Sequence, residues 1–159
     1  DNIMKKIFLS ILIITLVSCT KDVIVIEPPV NYEIWSGPTI NFSKESGADP
    51  TNSINQDSIT QSVIITRGNE GGQIYNILSE ASAEQGVSPL GTRWAIGDTS
   101  DIANLTFAPF RTAVGRPKDV VGKKLVLHIV EENIYMYLEF TSWESQQQGG
   151  FAYIRSTKD

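Results

Sequence analysis

The sequence predicts an all-β chain: an antiparallel β-sandwich, jelly-roll-like or Ig-like, with a C-terminal three-strand meander. Three observations point there. Short runs of β-branched and aromatic residues recur from Ile34 onward, separated by clusters of Gly, Pro, Asn, Asp and Ser. Ile134 to Trp143 alternates with a period of two, as a strand with one buried face does. Helical periodicity is weak, its best stretches being Ile77 to Gln85 and Ile102 to Val114, where Pro109 opposes a regular helix. At 159 residues, 41% hydrophobic and 19% charged, the chain suits one globular domain with one core.

The first segment reads differently from the rest. Met4-Lys5-Lys6 precedes the apolar run Ile7 to Val17, and a short basic head before such a run is the build of a secretory signal. The run is too short to cross a bilayer comfortably, which takes about 20 apolar residues. Residues 1–18 are therefore expected to be a signal-peptide helix that is removed, with Asp1-Asn2-Ile3 lying ahead of a start at Met4. Residues 19–33 read as a tether stiffened by Glu27-Pro28-Pro29, although the β-branched Val23-Ile24-Val25-Ile26 could instead add a strand. Residues 34–159 form the single β-sandwich domain.

Leu16-Val17-Ser18-Cys19 resembles the lipobox of bacterial lipoproteins: an apolar residue, a small or apolar one, a small one, then cysteine. In that family the thiol receives a diacylglycerol, the preceding peptide is cut away and the new amino terminus is acylated. The resemblance covers the first nineteen residues and implies that Cys19, the single cysteine, is a lipid anchor. Two or more acyl chains hold a protein stably on a membrane where one gives marginal binding. The implied location is the bacterial cell envelope, at the outer membrane on its periplasmic or surface face, since Thr20 stands where enterobacterial lipoproteins kept at the inner membrane carry aspartate.

Within the body, Ser62 to Arg67 reads as a strand ended by Gly68-Asn69-Glu70-Gly71-Gly72, with Gln73 to Asn76 as its hairpin partner. Thr92 to Ile96 follows the turn Ser88-Pro89-Leu90-Gly91. Lys124 to Val130, Ile134 to Trp143 and Phe151 to Ser156 are three strands joined by Glu131-Glu132-Asn133 and by Gln146 to Gly150, which makes the meander. The runs Asn55 to Thr60, Ile65 to Gly68, Ile74 to Asn76, Phe140 to Trp143 and Gly149 to Thr157 together resemble a recurring all-β module of secreted bacterial proteins. That resemblance implies one extracellular β domain and brings no assigned activity or site.

Several chemistries are absent from the sequence. One cysteine permits no internal disulfide and no paired-cysteine zinc site, and the single His128 excludes a two-histidine metal site. There is no Gly-x-Ser-x-Gly elbow and no glycine-rich phosphate loop. The formal charge is −5 and no Lys/Arg run is longer than the pairs Lys5-Lys6 and Lys123-Lys124, so no nucleic-acid footprint is present. His128 alternates with Val126 and Val130 and reads as a hydrogen-bonded structural residue rather than a base. A pair of convergent carboxylates for glycoside hydrolysis is the remaining catalytic alternative.

Two binding chemistries stay open. Asp49, Asn52, Asn55 and Asp57, and again Asp98 and Asp101, space oxygen-bearing side chains along polar loops. Six to eight such oxygens would suit a structural Ca2+, and the same side chains also serve turns by accepting from nearby backbone amides. Tyr135, Tyr137, Glu139 and Trp143 fall on one strand face by alternation, with the acid amid the rings. Flat rings stack on sugars and anchor protein interfaces, so the expected function is a non-catalytic binding module for a glycan or another envelope protein. The alternatives are a purely structural envelope protein, in which this face packs as core or beneath a loop, and a carboxylate-dependent glycoside hydrolase.

Overall fold

The computed structural model describes residues 31–159; the segment read as a signal peptide, Cys19 and residues 20–30 with Val23–Ile26 lie outside the described residues. In chain order the described strands are β1 (Glu33–Trp35), β2 (Ile40–Lys44), β3 (Asp57–Ser58), β4 (Ile64–Arg67), β5 (Ile74–Asn76), β6 (Thr92–Ile96), β7 (Lys124–Ile129), β8 (Ile134–Trp143) and β9 (Phe151–Arg155). The fold is all-β, with two open sheets and no closed barrel. The larger sheet runs β2-β9-β8-β7-β6, and β1 pairs in parallel with the start of β8; the smaller is β3-β4-β5.

The meander read from the sequence is present, and β6 extends it. Asn133 closes the β7–β8 turn at φ 53°, a left-handed conformation that asparagine tolerates because its side chain bonds locally. The 62–67 and 73–76 runs pair antiparallel as β4 and β5, with Thr66 opposite Tyr75. Helix is scarce. Ile77 to Gln85 contains turns rather than a helix, held by the Glu80 carboxylate, which accepts from Asn76 N, Leu90 N and Ser88 Oγ. Within 102–114 the α-helix α1 covers only Phe110–Val114, starting just after Pro109, and residues 102–104 belong to the 3-10 stretch Thr99–Asn104. The proline has no amide to give a helix interior, so it sits at the boundary.

One hydrophobic cluster joins the sheets. Ile59, Val63, Ile65 and Ile74 from the small sheet and its loops meet Trp94, Leu125, Leu127, Met136, Leu138, Phe140 and Tyr153 from the large one. Phe110 of α1 closes the cluster beside Trp94, their ring centroids 5.0 Å apart. A buried ion pair crosses the same interface. Arg155 of β9 donates from Nε to Asp57 Oδ2 at 2.7 Å and from Nη2 to Oδ1 at 2.9 Å, and Tyr153 Oη donates to Oδ2 at 2.6 Å. Burial would lower the Arg155 pKa, but the Asp57 carboxylate overrides it and the net shift is upward.

The register of β8 changes partway along. Phe140 faces Tyr153, yet Ser142 faces Ala152, so Thr141 is an extra residue with no partner of its own. Such a bulge reverses the side-chain phase beyond it. Trp143 is consequently carried to the core face, opposite Phe151, and away from Tyr135, Tyr137 and Glu139. Uninterrupted alternation would have put all four on one face; the bulge corrects that expectation for Trp143.

Candidate functional site

Tyr135, Tyr137 and Glu139 do share the outer face of the large sheet, opposite His128, Val126 and Lys124 of β7. All three are half-buried. The rings are not equally free. Tyr135 stacks on His128 at 4.1 Å with an interplanar angle of 3°, and Phe107 and Tyr32 pack edge-on against it. His128 Nε2 lies 3.0 Å from Asn133 Oδ1, which ties the ring to the β7–β8 turn. Burial pushes its pKa below the ordinary 6.5, against the Asn133 contact. His128 is thus a packed, hydrogen-bonded residue.

Tyr137 and Glu139 form the polar part of this face. Tyr137 Oη donates to Glu139 Oε2 at 2.7 Å, and burial followed by that carboxylate pushes the phenol up to about 12. The phenol therefore stays a donor fixed on Oε2, and Oε1 is left without a protein partner among the described residues. A carboxylate oxygen so placed is able to accept from a hydroxyl.

The residues read as calcium ligands make bonds within the protein. Asp49 Oδ1 accepts from Thr51 N and Oγ1, both at 2.8 Å, and these bonds hold its carboxyl below the usual range. Asp98 does the same with Ser100 N and Oγ at 2.9 and 2.8 Å. Asn52 caps the 3-10 turn Ser53–Asn55, Asn55 Nδ2 donates to Asp49 O, and Asp101 accepts from Asn104 Nδ2. Asp57 does not lie with them in an open loop; it is buried against Arg155. Among the described residues no group of three or more His, Cys, Asp or Glu is placed to hold a metal ion.

A second feature has no counterpart in the sequence reading. Where the β4–β5 turn meets the β8–β9 turn, a concavity of about 320 Å3 is lined by Arg67, Arg111, Arg116, Lys118, Trp143, Glu144 and the amides of Gln146 and Gln147. Arg67, buried at 3% exposure, forms its floor. Its Nε donates to Gly72 O at 3.1 Å, its Nη1 to Gly150 O at 2.9 Å and Glu144 O at 3.0 Å, and its Cζ sits 4.1 Å from the Trp143 ring centroid. Burial lowers its pKa and Glu144 opposes that, but a guanidinium so bonded stays charged at neutral pH.

Close by, the buried Lys44 donates from Nζ to Asn69 Oδ1 at 2.7 Å, and burial, then Arg67, pushes its pKa down. The close approach of Gly149 to the Gly68 carbonyl brings the two turns together, and a Cβ at Gly149, whose φ is +70°, would strike that oxygen. These cations come from three separated places in the chain, so only folding gathers them. A single signal could have hinted at the cluster: Arg111, Arg116 and Lys118 fall within eight residues around a glycine and a proline. No protein-family model matches this chain, and comparison with curated proteins and with solved structures finds none similar to it.

Proposed function

We propose that this chain is a lipid-anchored protein of the bacterial envelope whose β domain is a non-catalytic binding module, with a glycan held at the outer face of the large sheet. The anchor rests on the lipobox resemblance at Leu16-Val17-Ser18-Cys19. The binding reading is carried by one observation: Tyr137 fixes Glu139 by its hydroxyl, leaving the second carboxylate oxygen to accept from a sugar hydroxyl beside a half-buried ring. Hydrogen bonds to a charged acceptor are worth about 1.5–3 kcal/mol, enough for selectivity in a shallow site.

Two measurements test this. A glycan array probed with the whole chain should give a defined set of binders, and Glu139→Gln should weaken them about tenfold. Equal binding by the variant would remove the outer face from consideration. Separately, cells producing the wild type should incorporate labelled palmitate into the protein and Cys19→Ala should not; normal labelling of the variant would reject the anchor.

A further inference from the structure

We infer that the concavity floored by Arg67 is a second binding site, built for the oxyanion of an acidic saccharide: a uronate carboxylate or a sulfate ester. Three observations carry it. First, Arg67 is buried and its polar partners are all neutral backbone carbonyls, so its charge is solvated but not neutralised. Its Nη2 has no hydrogen-bond partner among the described residues, although Arg67 lines the opening. A fork-shaped donor with one edge free is suited to a planar or tetrahedral oxyanion. Second, the lining sets four cations against one carboxylate in a chain whose formal charge is −5. Of the four, Arg116 alone has an ion pair among the described residues, with the exposed Asp119. The one carboxylate, Glu144, is already engaged by Ser46 Oγ at 2.8 Å and Gly150 N at 2.9 Å. An unpaired buried charge is costly, and a bound anion would offset that cost.

Third, the remaining lining selects the kind of anion. Gln146, Gln147 and Ser145 offer neutral donors and acceptors suited to hydroxyls. A nucleobase would need an open ring face to stack on. Trp143 has none to spare: Arg67 covers it at 4.1 Å, and Phe110, Phe140 and Phe151 pack around it. The volume of about 320 Å3 lies at the small end of ligand pockets, which suits a sugar unit with its acid group.

The test uses the whole chain and calorimetric titration with an oligogalacturonate, a sulfated dextran oligosaccharide and the neutral dextran oligosaccharide. Binding of one or both acidic probes without the neutral one is expected, and the arm that binds identifies the oxyanion. Arg111→Gln and Lys118→Gln lie on the rim and should leave folding intact while weakening the acidic probe about tenfold together. Lys158→Gln, a remote exposed lysine paired with Glu33, should change nothing. No binding of either acidic probe to the wild type at low salt would overturn the proposal. So would an equal loss in Lys158→Gln, which indicates diffuse attraction, or equally tight binding of polyglutamate, which indicates a peptide site. None of these outcomes depends on Glu139, so failure here and failure of the outer-face reading are distinguishable.

Discussion

His128 shows how a single side chain can look chemical and turn out to be packing. Its ring is stacked flat on Tyr135 and tied to Asn133, and burial lowers its pKa below 6.5. The sign of the consequence follows. In the window from 6.5 down to the lowered folded value, the unfolded chain binds more protons than the folded one. Stability is therefore full above 6.5 and is lost as pH falls through that window. The urea midpoint should fall between about pH 7 and about pH 5 in the wild type, and fall less in His128→Phe, which keeps a ring in the stack. Equal slopes in the two proteins would clear His128 of any part in the acid sensitivity.

At the scale of elements, β8 decides which residues can act together. Its first seven residues keep strict alternation, and there the sequence was readable: the faces of Tyr135, Tyr137 and Glu139 come out as the period of two predicts. The bulge at Thr141 was not readable, because a bulge is set by what the partner strand and the core require, and nothing in Thr141-Ser142 marks it locally. Removing Thr141 should make Trp143 the second residue after Phe140, still on the core face and opposite Phe151, with the bulge gone. We expect little loss of stability and an unshifted Trp emission, since Trp143 keeps Arg67 and Phe110 as neighbours. A loss of about 3–5 kcal/mol, the cost of emptying a large core site, would show that Trp143 needs the extra residue to reach its place. The weak helical signal of Ile77 to Gln85 comes to nothing for a similar reason. The Ile77 to Gln85 stretch has adequate local propensity, but Glu80 is taken up in bonding three separate groups across the loop.

For the molecule as a whole, the fold class and the meander were legible, since both follow from periodicity and turn chemistry. What joins the sheets was not. Asp57 looked like one more polar loop residue beside Asn55, yet it is the buried partner of Arg155, 98 positions away. Arg67 gave no sign of flooring a concavity, because its neighbours there are supplied by the 110–119 segment and the 143–150 turn. Removing one member of a buried pair strands the other, and the expected cost is about 3–5 kcal/mol. Asp57→Ala should therefore lower stability by that amount in equilibrium unfolding, and the double variant Asp57→Ala/Arg155→Met should recover part of it. A double variant no better than the single would mean that the pair matters for shape rather than charge.

The parallel pairing of β1 on β8 has a mechanical consequence. Asn133 donates from Nδ2 to Asn31 O and accepts from Glu33 N, so the chain is fastened to the β7–β8 turn where it enters the domain, and the three residues of β1 then run alongside Ile134 to Met136. Tension arriving along the backbone ahead of Asn31 would pull β1 lengthwise past β8, loading these bonds together in shear instead of peeling them one at a time. Rupture under load is governed by the unfolding rate rather than by equilibrium stability. The entry point of the chain is thus its strain relief, and the domain behind it can be tugged without first being opened.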